Sequence, residues 1–186
     1  MFDLKDISRT VLDERSGRSF TLNIRFGPRR WIFGLIIGID EYKSPEILNL
    51  KGCKNDAQSI FDLLINKFHV PASHILFLTN EKATRNAIIS GFRSHFIQNG
   101  NIEHDDAMFV FYAGHGSQIA APNGWVRDGS KIETICPHDE RTVGWDGKKI
   151  SGIPDRTIDG LLRMLASTKG DNIVCSCLSL SFLPSC

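Results

Sequence analysis

The chain carries almost no net charge, and this removes two classes of partner from consideration. Its 22 lysines and arginines nearly balance 21 aspartates and glutamates, which leaves a formal net charge of +1. Proteins that bind nucleic acid or an anionic membrane surface usually concentrate positive charge on one face. We therefore expect neither a nucleic acid nor a membrane among the partners of this protein.

Long apolar runs are also missing. The longest one covers the nine residues 31–39, which is too short to cross a bilayer as a helix. The first six residues contain two aspartates and lack the basic-then-apolar pattern of a secretory signal. A location in the cytoplasm is therefore the expectation. With 41% apolar and 23% charged residues among 186, the chain is long enough to form one domain with its own core.

The cysteines do not follow a pattern that would indicate disulfides or a metal. There are five of them, an odd number, and no pair shows Cys-x-x-Cys spacing. No set of cysteines and histidines has the spacing of a zinc site. We therefore predict no metal and no cofactor, and the thiols remain available as nucleophiles.

Strand and helix patterns alternate along most of the chain. Predicted strands cover 31–39, 75–78, 109–115, 132–136 and 172–175, and helical patterns begin at 55–56, 84 and 154–155. This alternation indicates an α/β protein with a mostly parallel sheet and right-handed crossovers. Residues 1–30 read as an N-terminal extension that contains a loose strand or a hairpin.

The most informative segment is residues 109–117, Phe-Val-Phe-Tyr-Ala-Gly-His-Gly-Ser. An apolar, β-favouring run meets a histidine between two glycines, at the strand end where α/β sheets collect ligands and catalytic groups. Histidine has a side-chain pKa suited to proton transfer near neutrality. The glycines would let a substrate approach closely, with the amide of Gly116 pointing at it. The alternative is a sharp corner that leaves the imidazole of His115 exposed.

Several motifs, taken in order, resemble the large-subunit (p20-like) domain of caspases, and more closely that of fungal metacaspases. They are 35–39 (Leu-Ile-Ile-Gly-Ile), 50–57 (Leu-Lys-Gly-Cys-Lys-Asn-Asp-Ala), 78–88, 112–116 (Tyr-Ala-Gly-His-Gly), 135–139 and 153–155. The resemblance covers residues 31–173 and implies a three-layer caspase-like fold whose sheet is incomplete at its C-terminal end. Residues 174–186 form a divergent tail, and the small-subunit (p10-like) part is missing.

The resemblance implies a cysteine endopeptidase that acts on proteins or peptides, with a role in cell death. His115 would be the catalytic histidine, and the Gly116 amide would bind the oxyanion. Cys53 and Asp56 match positions that line the S1 pocket in metacaspases, where an acidic pocket implies cleavage after Arg or Lys. The residues alone favour a simpler interpretation, in which Asp56 is a carboxylate that stabilises the amino end of a helix and Cys53 is a small buried residue.

The family pattern fails at the nucleophile. Metacaspases carry Asp-x-Cys-His-Ser-Gly at the end of the fourth strand, whereas this chain reads Val-Cys-Ser-Cys-Leu-Ser from residue 174. Cys177 is the best substitute. The strand before it is short by roughly three residues, which corresponds to about 10 Å. The second hypothesis is therefore a catalytically inactive module that acts through protein contacts. Its open sheet edge would pair with a p10-like segment or a second copy.

Overall fold

The computed structural model describes residues 7–12, 19–24, 31–120 and 131–183, with side chains for 31–120 and 131–178. Near the N-terminus, β1 (Ile7–Leu12) and β2 (Ser19–Ile24) form an antiparallel two-stranded sheet. The hairpin that the sequence suggested for the extension is therefore present.

The rest of the described chain alternates strands and helices, as its patterns predicted. The strands of the large sheet are β3 (Ile32–Gly38), β4 (Ile75–Thr79), β5 (Ala107–Ala120), β6 (Lys131–Ile135), β7 (Ile153–Pro154) and β8 (Ile173–Leu183). The helices are α1 (Cys53–Asn66), α2 (Arg85–Phe92), which continues into a π-helical turn at Arg93–Ile97, and α3 (Asp155–Lys169). Short 3₁₀ turns occupy Ala72–His74 and Asn80–Lys82.

The large sheet is mixed, and its parallel part is built around β5. Strands run in the order β4-β3-β5-β6-β7, and β8 pairs with β5 as well. The β3–β4, β3–β5 and β5–β8 pairs are parallel, whereas β5–β6 and β6–β7 are antiparallel. Only residues 121–130 connect β5 to β6, and a parallel crossover needs a dozen residues or more. The predicted α/β class is confirmed, and the parallel arrangement holds around β3, β5 and β8.

Two apolar cores lie on opposite faces of this sheet and give it three layers. All seven residues of β3 are buried, as expected of a strand covered on both faces. Leu35 and Ile37 pack with α2 and α3, and Ile36 packs with α1. The helical spacing of Ile88, Phe92 and Phe96 predicts that they form the inner face of the second helix. The structure confirms this, since each is at most 1% exposed.

Helix α1 begins two residues earlier than the local pattern predicts. The sequence favoured a start at residues 55–56, but the helix begins at Cys53. The carboxylate of Asp40 accepts hydrogen bonds from the backbone N–H of Cys53 (2.8 Å) and of Lys54 (3.2 Å). The capping group therefore comes from the end of β3, whereas Thr84 caps α2 locally as predicted, accepting from the Ala87 N–H.

Strand β5 extends beyond residue 115, where the predicted strand ends. It continues through Gly116 to Ala120 because this half pairs antiparallel with β6. Residues 114–116 therefore lie in the middle of a strand, and the alternative of a sharp corner there is wrong. Within the described ranges, no helix combines the length and apolarity needed to span a bilayer.

Candidate active site

The imidazole of His115 is held inside the protein at the centre of β5. The residue is 3% exposed, so the alternative of an exposed imidazole at a corner is wrong. Its Nε2 lies 2.8 Å from the carbonyl oxygen of Leu48, in the loop between β3 and α1. A carbonyl oxygen can only accept, so Nε2 must carry the proton. In the neutral ring this leaves Nδ1 as the nitrogen that can take up a proton.

Two tyrosines fix the backbone and the ring of this histidine. The His115 N–H donates to the Tyr42 hydroxyl at 2.8 Å, and the two ring centroids are 5.1 Å apart. The Tyr112 hydroxyl donates to the His115 carbonyl at 2.8 Å. Burial is the main cause that raises the pKa of each phenol above its ordinary value of 10. Both hydroxyls therefore stay protonated, and they hold the histidine by hydrogen bonds.

Sequence reasoning missed these tyrosines, although one signal was present. They are the only two tyrosines in the chain, and both are at most 7% exposed. A tyrosine in a buried apolar segment needs a partner for its hydroxyl group. Tyr112 supplied that signal, since it lies within the apolar run two residues before Gly114. No local pattern linked Tyr42 to His115, which lies 73 residues away.

Gly114 makes room for the tyrosine hydroxyls. A Cβ at this position would lie 2.5 Å from the Tyr112 Oη and 3.1 Å from the Tyr42 Oη. From the sequence we expected the lack of a side chain at Gly114 to let a substrate approach closely. In the structure, the atoms nearest to this position belong to the two tyrosines. Gly116 pairs with Ile135 of β6 on one side and with Phe182 of β8 on the other. Its proposed oxyanion role stays a prediction.

Cys53 and Asp56 both lie in the first turn of α1. Cys53 is fully buried, and burial raises the pKa of its thiol to about 12, with the Asp40 and Asp56 charges adding to the effect. The thiol is therefore protonated at neutral pH. Asp56 is half-buried at the amino end of the helix, where a carboxylate is stabilising. Their S1 roles stay predictions, and these positions also fit the simpler structural readings.

Cys177 does not lie opposite His115 in the sheet. In the parallel β5–β8 register, Cys177 pairs with Tyr112, three residues before His115. Three residues of strand correspond to about 10 Å, whereas proton transfer between a nucleophile and its base requires hydrogen-bond contact. Gly114 pairs with Ser179 and Gly116 with Phe182, so residues 180–181 of β8 fall opposite His115. The catalytic role of Cys177 stays a prediction, and this register weighs against it.

A largely apolar cavity of about 350 Å³ brings two of the five predicted residues together. Gly116 and Cys177 both line it, between the sheet and helices α2 and α3. His115, Cys53 and Asp56 are absent from its walls. Its apolar walls come from β3, β5, α2 and α3, and include Leu35, Ile37, Ile88, Phe92, Val110 and Leu162. The imidazole of His115 therefore does not open into this cavity.

Nothing in the part of the chain that the structure describes is arranged as a metal centre. Over those ranges, no group of three or more His, Cys, Asp or Glu side chains converges in a way that could hold an ion.

Comparison with known proteins places this arrangement in a family. Residues 34–185 match the model of the metacaspase, peptidase C14 domain. Metacaspase-3 of Arabidopsis thaliana is 35% identical over 125 residues, covering 64% of this chain and 32% of that protein. Metacaspase-1 of Saccharomyces cerevisiae (strain ATCC 204508 / S288c) is 31% identical over 115 residues, covering 59% of this chain and 26% of that protein.

A solved structure supports the fold alone. The crystal structure of a Geobacter sulfurreducens protein superposes with a TM-score of 0.56 at 18% identity, covering 79% of this chain and 48% of that one. The chain spans about a third or less of the length of the curated relatives named above. Because the family model covers most of the chain, from the first residues of β3 to the end of β8, this protein belongs to the metacaspase family of caspase-like cysteine peptidases.

Proposed function

We propose that this chain carries the histidine side of a cysteine endopeptidase active site, with His115 as the proton-transfer group. The single observation that carries the proposal is the bond from His115 Nε2 to the Leu48 carbonyl at 2.8 Å. This bond selects the tautomer in which Nδ1 can take a proton from a thiol and return it to the leaving amine. Such transfer is typically worth about 10²–10⁴ in rate.

The proposed reaction proceeds through an acyl-enzyme. A thiolate attacks the scissile carbonyl, the amine leaves with a proton from the imidazole, and water then hydrolyses the thioester. The amide of Gly116 is proposed to stabilise the oxyanion, where one donor is worth about 10²–10³ in rate. In the described structure this glycine is paired on both flanks and also lines the cavity.

The substrate class follows from the acidic groups near α1 and from the family resemblance. Asp56 lies in the first turn of α1, and we propose that it and Cys53 face a basic P1 side chain. Cleavage after Arg or Lys, a role in cell death and action in the cytoplasm all belong to this proposal. The partners would be protein or peptide substrates.

The test is hydrolysis of fluorogenic peptides with Arg or Lys at P1, with an Asp P1 peptide as the specificity control. His115→Ala should abolish cleavage, whereas Lys67→Ala, at the distant carboxyl end of α1, should leave it unchanged. Cys177→Ser tests the candidate nucleophile: if Cys177 acts, this change abolishes cleavage. Cleavage that persists in His115→Ala would show that His115 is not the proton-transfer group.

The register of β8 also favours a second candidate function, that of a catalytically inactive module. The residues opposite His115 are Leu180 and Ser181, and neither is a cysteine. If this hypothesis is right, the natural chain cleaves no peptide, and introducing a thiol by Leu180→Cys or Ser181→Cys generates activity that depends on His115. Activity in the natural chain, abolished by Cys177→Ser, would instead support the peptidase.

If the chain is an inactive module, we propose that it binds its partner through the edge of β8. Within the described residues, β8 pairs only with β5, and residues 173–183 contain no charged side chain. A free, uncharged strand edge can pair with another strand. The proposed partner is a p10-like segment or a second copy of this chain, and light scattering after size-exclusion chromatography distinguishes a dimer from a monomer.

A further inference from the structure

Two thiols of β8 open into the same cavity. Cys175 and Cys177 are both exposed, and both line the cavity between the sheet and helices α2 and α3. Residues two apart on a strand point to the same face, and their Cα atoms lie about 7 Å apart. Rotation about each Cα–Cβ bond can bring two such sulfur atoms toward a single bridging atom.

The cavity around this thiol pair suits an apolar group. Side chains from β3 and α2, including Leu35, Ile37 and Phe92, form its walls together with Leu162 of α3. Its volume is about 350 Å³, and a cavity of about 150 Å³ with similar walls is known to hold a benzene molecule. One aromatic ring therefore fits beside the thiols.

The number of thiols restricts what atom could bridge them. Zinc requires three or four protein ligands, and the described residues offer no group of three or more metal-ligating side chains. A trivalent arsenic atom with one carbon substituent needs only two sulfurs to complete three bonds. We infer that Cys175 and Cys177 form a dithiol site for an organic arsenic(III) compound, whose apolar substituent occupies the cavity.

The binding step is a condensation that needs no oxidant. An aryl arsenoxide, R–As=O, reacts with two S–H groups; two As–S bonds form, the As–O bonds break, and one water molecule leaves with both thiol protons. Arsenic stays trivalent throughout. A free cysteine has a pKa of about 8.5, so each enters mainly as a neutral thiol at neutral pH and supplies one of the two protons.

The experiment is titration of the reduced chain with phenylarsine oxide in excess glutathione, followed by intact-mass spectrometry and thiol counting. One arsenic should bind per chain and consume two thiols. Cys175→Ser and Cys177→Ser should each lower the apparent affinity at least tenfold, because a single As–S bond is displaced by glutathione. Cys186→Ser is the matched control and should bind like the natural chain.

A comparison of ligands tests the cavity separately. Arsenite, which lacks the aryl group, should bind the same thiol pair more weakly than phenylarsine oxide. Equal binding of the two compounds would overturn the assignment of the ring to the cavity. Binding that survives either Cys175→Ser or Cys177→Ser, or that is lost in Cys186→Ser, would overturn the dithiol site. None of these outcomes depends on whether the chain cleaves peptides.

Discussion

Replacing Gly114 by alanine tests the arrangement around His115 most directly. The added Cβ would lie 2.5 Å from the Tyr112 Oη and 2.8 Å from its Cζ, both closer than real Cβ contacts. Tyr112 is 3% exposed, so its ring can relieve this contact only by shifting toward the cavity that it lines. The ring can move only if its hydroxyl leaves the carbonyl oxygens of His115 and Cys136, which lie at 2.8 and 3.0 Å.

The expected cost follows from these contacts. Overpacking a filled interior by one methyl group costs about 1–3 kcal/mol, and a buried hydrogen bond lost in the adjustment costs about 1 kcal/mol more. We therefore expect Gly114→Ala to lower the free energy of unfolding by about 2–4 kcal/mol. The same displacement frees the His115 carbonyl from its donor, so the imidazole should also lose its fixed position.

Urea denaturation measures the first effect, and NMR of the His115 ring nitrogens measures the second. Gly160→Ala is the matched control: position 160 lies within α3 and has no atom within 4 Å of an added Cβ. Alanine there should stabilise the protein by about 0.5–1 kcal/mol through its better helix propensity. A Gly114→Ala protein as stable as the natural one, with unchanged His115 resonances, would refute the reasoning.

Three further predictions follow from the described contacts. Asp40→Ala removes the cap of α1 and should lower the free energy of unfolding by about 1–2 kcal/mol, while Asp62→Ala, on the exposed side of α1, should change it by less than about 0.5 kcal/mol. Burial raises the pKa of the Glu140 carboxyl above its ordinary value of 4.5. The unfolded chain therefore loses this proton first as the pH rises, and stability falls between pH 4.5 and the raised value. Glu140→Gln should accordingly show a stability advantage that grows from acid to neutral pH; denaturation curves showing an advantage that shrinks instead would contradict this. Cys53, fully buried with a pKa near 12, should react with a thiol reagent only upon unfolding, whereas Cys175 should react in the native protein; mass spectrometry after brief labelling distinguishes them.

Local patterns were enough for most elements of the fold. The apolar run at 31–39 predicted β3, and the 3.6-residue spacing of Ile88, Phe92 and Phe96 predicted the inner face of the second helix. Thr84 marked the start of a helix because capping is decided by neighbours in the sequence. In each case the residues that determine the structure lie within a few positions of one another.

Features that depend on residues far apart in the sequence could not be predicted from local patterns. The start of α1 depends on Asp40, thirteen positions before Cys53, and the second half of β5 depends on pairing with β6. The same limit applies to Tyr42, which contacts His115 across a separation of 73 positions in the sequence. By contrast, the three-residue offset of Cys177 was readable from motif spacing, because every strand residue advances the chain by a fixed length.

The place of His115 in the middle of β5 has a consequence for how this region fluctuates. Residues 112–113 pair with β3 and β8, and residues 116–117 pair with β6 and β8. Backbone that is paired on both flanks opens only when both pairings are lost, so its amide hydrogens exchange among the slowest in a protein. Residues 112–117 should therefore belong to the last unit to unfold. The backbone that carries the imidazole therefore persists as long as the domain does, and the ring can change position only through its contacts with Tyr42 and Leu48, in the loop between β3 and α1.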